Sequence, residues 1–88
     1  MLHRIYFDEN EGDERGRFDL GIPGSLQDIA PLADQLAHGM RVLLYHDGTF
    51  EIEAILEWDT TYHQWMASPL WETIQRFDNE EIERAAAK

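Results

Sequence analysis

The chain has 88 residues, 43% of them hydrophobic, no cysteine, and a net charge of −11 from 18 acidic against 7 basic side chains. That length is one domain near the lower end of what folds alone, and the missing cysteines exclude a disulfide framework and thiolate metal sites. So few Lys and Arg leave no basic patch for phosphates, which argues against direct nucleic-acid binding and anionic membrane surfaces and favours a neutral or basic protein partner.

Met1 to Arg4 run straight into an alternating segment without an apolar leader, and no run is long enough to span a bilayer; the expectation is a soluble, cytoplasmic protein. His3 to Phe7 and Arg17 to Leu20 are short strand candidates. They flank an acidic loop, and the stretch FDENEGDERGRFD from Phe7 to Asp19 carries six carboxylates. A calcium loop of the helix–loop–helix type needs oxygen ligands at alternate positions and a glycine at the sixth. Asp8 and Asn10 fit, but Gly12 stands where the third ligand is required and Asp13 where the glycine is required. The loop therefore reads as a recognition surface or a solvated connection, with no metal assigned.

Between Gly24 and Gly39, Leu26, Ile29, Leu32 and Leu36 mark a helical face that Pro31 interrupts. The expected arrangement is a turn over Ser25 to Ile29, then a helix from Pro31 at its first position to about Ala37, with Gly39 closing it. Ser25 is the expected cap of the first turn, with Asp28 three residues on.

The hairpin is the strongest local signal. Phe50, Ile52, Ala54, Leu56 and Trp58 recur every second residue with Glu51, Glu53 and Glu57 between them, and Val42 and Leu44 mark a matching face on the preceding run. A two-residue Asp47-Gly48 turn would set Leu44 against Glu51. A three-residue loop, His46-Asp47-Gly48 with Gly48 left-handed, sets Leu44 against Phe50, Val42 against Ile52 and Arg41 against Glu53, and this register is predicted. After a turn at Asp59-Thr60-Thr61, Tyr62 to Ala67 form another strand that Pro69 ends. Leu70 to Phe77 hold a turn and a short closing strand. Asp78 caps a C-terminal helix, with Glu81 completing the capping box and Phe77 stapled to Ile82. The remaining Glu83 to Lys88 have helix propensity but little to bury.

The fold class expected is mainly β: a small barrel of five or six short antiparallel strands in residues 1–78, with a helical insertion at about 25–38, and residues 79–88 as a C-terminal helix or frayed tail. Gly39-Met40-Arg41-Val42, Tyr45-His46-Asp47-Gly48-Thr49-Phe50, Glu53-Ala54 and Leu56 resemble the G-x-x-V … Y-x-D-G-x-F/W-x-x-A-x-V pattern of SH3-like barrels, Tudor-like ones in particular. The resemblance covers about twenty residues and implies the SH3-like fold and ligand recognition between loops rather than catalysis.

No catalytic constellation emerges. His3, His38, His46 and His63 show no ligand spacing, and whether His3, His46 and His63 converge is left open. Ser25 and Ser68 lack a nucleophile-elbow context, the glycines form no phosphate-binding pattern, and no cofactor is implied. Glu51, Glu53 and Glu57 raise a second idea, an acidic mimic of nucleic acid. Strand residues two apart lie about 6.6–6.8 Å apart, against about 3.4 Å per phosphate along one DNA strand, so the row has half the needed density.

Trp58, as part of the apolar stripe, is expected inside. Tyr62 and Trp65 fall on opposite strand faces, so one of them is expected exposed. The leading reading is a non-catalytic acidic interaction module whose surface combines Asp8, Glu9, Glu11, Asp13 and Glu14 with Tyr62, Trp65 and Trp71. The alternative is an inhibitor or antitoxin-like mimic that binds a basic target, and a small metal-dependent hydrolase is a distant third.

Overall fold

Alternation on the longest strand sets the architecture. In the computed structural model, which describes residues 2–46 and 50–76, Phe50, Ile52, Ala54 and Leu56 of strand β4 (Phe50–Asp59) are all buried, while the residues between them are half-buried on the opposite face. Strands β1 (Arg4–Tyr6), β2 (Phe18–Asp19), β3 (Arg41–His46), β5 (Gln64–Pro69) and β6 (Gln75–Arg76) complete a curled mixed sheet, a half-barrel, in the order β1-β3-β4-β5-β2, with β6 beside β4. Helix α1 (Pro23–Ile29) and two 3-10 turns, Ala30–Leu32 and Trp71–Thr73, are the helical pieces among the described residues.

The inner face decides the fold. Ile5, Phe7, Leu20, Val42, Leu44, Ile52 and Leu56 are fully buried there, and each such side chain contributes about 1.5–3 kcal/mol. Exposed ion pairs on the outer face, such as Arg4 with Glu51 at 2.9 Å, are worth about 0.2–1 kcal/mol each. Phe7 meets Phe18 at 4.7 Å and Phe50 at 5.3 Å between ring centres. The two edge strands thus approach through side chains, and no pairing of β1 with β2 occurs among the described residues.

Several expectations need correction. Strand β1 runs parallel to β3, with Ile5 opposite Leu44, so the sheet is mixed rather than antiparallel throughout. The chain from Phe7 to Met40 supplies the long crossover that a parallel neighbour needs, and hydrophobic alternation carries no information on strand direction. In the hairpin, Leu44 lies opposite Ile52, Val42 opposite Ala54 and His46 opposite Phe50. The pairing is two residues from the predicted one. A shift of two keeps every side chain on its face, so alternation fixes the parity of the register but not its value. Arg41 still reaches Glu53, diagonally, at 3.1 Å. The loop residues 47–49, and with them the expected left-handed Gly48, lie outside the described residues, as do the C-terminal capping box and residues 79–88.

The helix precedes Pro31 rather than following it. Pro23 stands in its first turn, Ile22 is the cap residue, and Ala30-Pro31-Leu32 form only a 3-10 turn. Ser25 is therefore inside the helix, fully buried, and its hydroxyl donates to the Tyr6 carbonyl instead of capping. Asp28 accepts from the Tyr6 N–H at 2.9 Å and from the Tyr45 hydroxyl at 2.6 Å. Both groups tie α1 to the outer edge of β1. Leu26 is exposed and Ile29 buried, so only part of the expected helical face packs. Gly39, expected to close a helix from Pro31, caps none, because that helix does not form; it takes φ 88° in the approach to β3, its N–H donating to the Leu56 carbonyl.

Strand β5 begins at Gln64, two residues later than predicted. Tyr62 and His63 belong to the four-residue turn between Asp59 and Gln64, where His63 has φ 52°. Trp58 is 41% exposed, not inside, because the stripe runs past the end of the core; it packs edge-on against Trp65 at 5.2 Å. Beyond Pro69, the Leu70 N–H donates to the Glu53 carbonyl and the Thr73 hydroxyl accepts from the Glu53 N–H. This lets β6 resume pairing with β4 at Phe50 and Glu51.

Candidate functional site

The acidic loop folds over the outer face of the sheet, and Arg17 explains how. Asp8 makes a turn by accepting from the Asn10 N–H through its side chain and from the Glu11 N–H through its carbonyl. Gly12 then bridges to Phe18. Asp13 accepts from the N–H groups of Arg15 and Arg17, and Gly16, at φ 78°, turns the chain back toward it. The Asp19 N–H donates to the Glu11 carbonyl, so the loop also covers the free edge of β2.

Arg17 is 6% exposed, and a charge is tolerated there only because it is paired. Its Nε donates to Asp13 at 2.8 Å and its Nη2 to Asp59 at 2.9 Å, while Glu57 lies 3.8 Å from Nη1. Burial works to raise the Asp13 pKa, but the Arg17 backbone N–H, its guanidinium and the Arg15 N–H together hold it below the usual carboxylate value. Asp59 is lowered foremost by the Tyr62 N–H, then by the Arg17 guanidinium against the opposing effect of burial, and by the Thr61 N–H. The Asp59 bond, opposed by burial and aided by Asp13, pushes the guanidinium still higher. Loop, strand β4 and the β4–β5 turn are thus tied at one cation.

That turn presents Tyr62, 66% exposed, between two clefts. One, of about 460 Å³, is lined by Gly12, Asp13, Glu14, Arg15, Arg17, Asp59, Thr61 and Tyr62. The other, of about 300 Å³, is lined by Glu11, Gly12, Asp13, Asp19, Tyr62, Gln64 and Met66. Met66 is 2% exposed yet stands apart from the inner core. It pairs with Glu57 and Asp19 on the outer face, and its sulfur accepts from Gln64 at 3.3 Å.

The structure therefore brings Glu11, Asp13 and Glu14 together with Tyr62. Asp8 shapes the loop through its turn bonds, and Glu9 is exposed; neither lines the two clefts. Trp65 is half-buried against the core and Trp58. Trp71 is 55% exposed and lies edge-on to Phe18 at 6.1 Å. It follows β5 whereas Tyr62 precedes it, so the two aromatics stand at opposite ends of that strand. Arg17, Asp19, Glu57, Asp59, Gln64 and Met66 were missed by sequence reasoning. Asp59 had a legible signal, an Asx turn into Thr61, but the role of Arg17 depends on long-range contacts.

Other chemistry-bearing residues are dispersed. His46 and His63 flank opposite ends of β4, about 30 Å apart along the strand at about 3.3 Å per residue, and the His3 carbonyl accepts from Leu43 midway along β3. The His38 Nδ1 accepts from the Trp58 N–H at 3.0 Å. The Ser68 hydroxyl donates to Glu57. The outward glutamates are compensated one by one: Glu51 by Arg4, Glu53 by Arg41, and Glu57 by Ser68 and Arg17. Among the described residues no helix is long and apolar enough to cross a membrane. No protein-family model, curated protein or solved structure matches the chain at a significant level.

Proposed function

We propose that the chain is a non-catalytic, cytoplasmic protein-interaction module that docks a neutral or basic protein partner on the face formed by the acidic loop and the β4–β5 turn. One observation carries this reading: Arg17 holds the loop on the sheet so that exposed Tyr62 stands between two clefts bordered by Glu11, Asp13 and Glu14. An exposed aromatic supplies the anchor that loses water on docking, and the surrounding carboxylates steer the partner and set its charge. The engagement of both serines with groups other than histidine supports a role without nucleophilic catalysis. The likeness to SH3-like barrels rests on the residue pattern and agrees with recognition between loops. Charge compensation along Glu51, Glu53 and Glu57 gives the mimicry alternative less footing.

The reading is tested with a Glu9→Gln/Glu14→Gln/Tyr62→Ala variant, checked for unchanged circular dichroism and melting temperature. Polypeptides crosslinked to the wild-type chain in its source cells are expected to fall at least fivefold on the variant. Equal recovery by both proteins would remove this face as the contact surface.

A further inference from the structure

We infer that the smaller cleft receives an arginine side chain of the partner, an inference that rests on the docking reading above and specifies its chemistry. The cleft has an apolar floor in Met66 and an aromatic wall in Tyr62, and its charged lining residues are Glu11, Asp13 and Asp19, with no base among them. Asp13 is committed to Arg17. Asp19 uses Oδ1 to accept from Gly21 and Gln64, both at 2.6 Å. Glu11 and the second oxygen of Asp19 supply the acceptors for an incoming cation.

A guanidinium matches this lining better than an ammonium. Its planar fork bonds two carboxylate oxygens at once and stacks on an aromatic face, and its weaker hydration lowers the cost of entering a part-buried cleft. The molecule already holds guanidinium groups in this manner. Arg4 lies over the Tyr45 ring at 4.7 Å while bonding Glu51 at 2.9 Å, and Arg17 lies between Asp13 and Asp59. Tyr62 with Glu11 and Asp19 repeats the tyrosine-plus-carboxylate combination without an arginine of its own lining the cleft. An extended basic segment would lay one arginine there, steered by the net negative charge of the surrounding loop.

Titration of the full-length ¹⁵N-labelled chain with the peptide acetyl-Ser-Arg-Ser-Arg-Ser-amide, followed by NMR, tests this. The expected shifts centre on the amides of Gly12, Asp19, Tyr62 and Gln64, and binding is expected at least fivefold tighter than for the lysine counterpart. Tyr62→Ala and Glu11→Gln should each weaken it fivefold or more, whereas Tyr62→Phe, which keeps the ring, should stay within twofold of wild type. Equal affinity for the two peptides, or shifts spread evenly over the outer face, would overturn the arginine assignment. Those results would leave the contact surface itself standing, since that is judged by the crosslinked partners of the triple variant.

Discussion

Arg17 joins an otherwise repulsive set of carboxylates, and its removal has consequences that can be calculated in sign. Arg17→Met keeps the apolar stem but leaves Asp13, Glu57 and Asp59 facing one another without a cation. Breaking a fully buried pair costs about 3–5 kcal/mol; with partners in part solvated the expected loss is about 2–3 kcal/mol, seen as a melting temperature lower by roughly 8–24 °C. Asp13 and Asp59 both have folded pKa values below the ordinary one. Their contribution is therefore fully present above the unfolded value near about 3.9 and is lost as pH falls through the lower folded values. The urea midpoint of the wild type should drop steeply below about pH 4, and Arg17→Met should flatten that drop. An equally steep acid limb in the variant would show that other carboxylates govern it. His63 offers the opposite case. It holds φ 52° in an exposed turn, a left-handed conformation that costs a non-glycine residue about 1–2 kcal/mol. His63→Gly removes that strain but adds freedom to the unfolded chain, so a net gain of about 0.5–1 kcal/mol is expected by urea denaturation.

At the scale of elements, two neighbouring residues of helix α1 meet strand β1 with different tasks, Gly24 by leaving room for the Tyr6 ring and Ser25 by a hydrogen bond. A Cβ on Gly24 would come within 2.6 Å of the Tyr6 ring, whose other neighbours include Tyr45 and His46. Gly24→Ala gains about 0.8–1 kcal/mol of helix propensity yet must displace that ring, at about 1–3 kcal/mol. Net destabilisation of about 1 kcal/mol is expected. Ser25→Ala leaves the Tyr6 carbonyl without its donor at a fully buried position, a loss of about 1–3 kcal/mol. Thermal melts of the two variants check both, and a Gly24→Ala protein more stable than wild type would mean that the ring yields freely. These contacts also show why the helix was misplaced from sequence. Pro31 was rightly read as a break, and Pro23 was equally fit to begin a helix, but what favours the earlier segment is the reach of Ser25 and Asp28 to Tyr6 and Tyr45, across nineteen, twenty-two and seventeen residues. The strands were legible because alternation is local; the parallel course of β1 was not, because direction is set by a crossover of more than thirty residues.

For the whole molecule, the same division between local and distant information separates the face from its charge. The inner core, from Ile5 to Ala67, was largely readable as period-two stripes, and the acidic loop as a composition anomaly. The assembly of that loop with Tyr62 was half legible, since the cation that joins them stands at the loop's end and finds its partners in β4, forty and forty-two residues on. What remains after pairing is a large excess of negative charge, −11 over 88 residues, and it acts on stability as a whole. Added salt weakens the exposed pairs Arg4–Glu51 and Arg41–Glu53, each worth about 0.2–1 kcal/mol at most, but it also screens the repulsion among all the unpaired carboxylates. The Arg17 cluster is largely sheltered from that screening by burial. With 18 acids against 7 bases, repulsion outweighs the exposed attractions, so the melting temperature at pH 7 is expected to rise by several degrees between about 10 mM and 0.5 M sodium chloride, where the Debye length shrinks from about 30 Å to a few ångströms. Docking of an acidic face to a basic peptide has the reverse dependence. Affinity for the arginine peptide should fall over the same range, and a chain that grows more stable while binding more weakly would show that its charge favours association with the partner at the expense of the fold. A melting temperature that falls with salt would instead mean that favourable ion pairs dominate the balance.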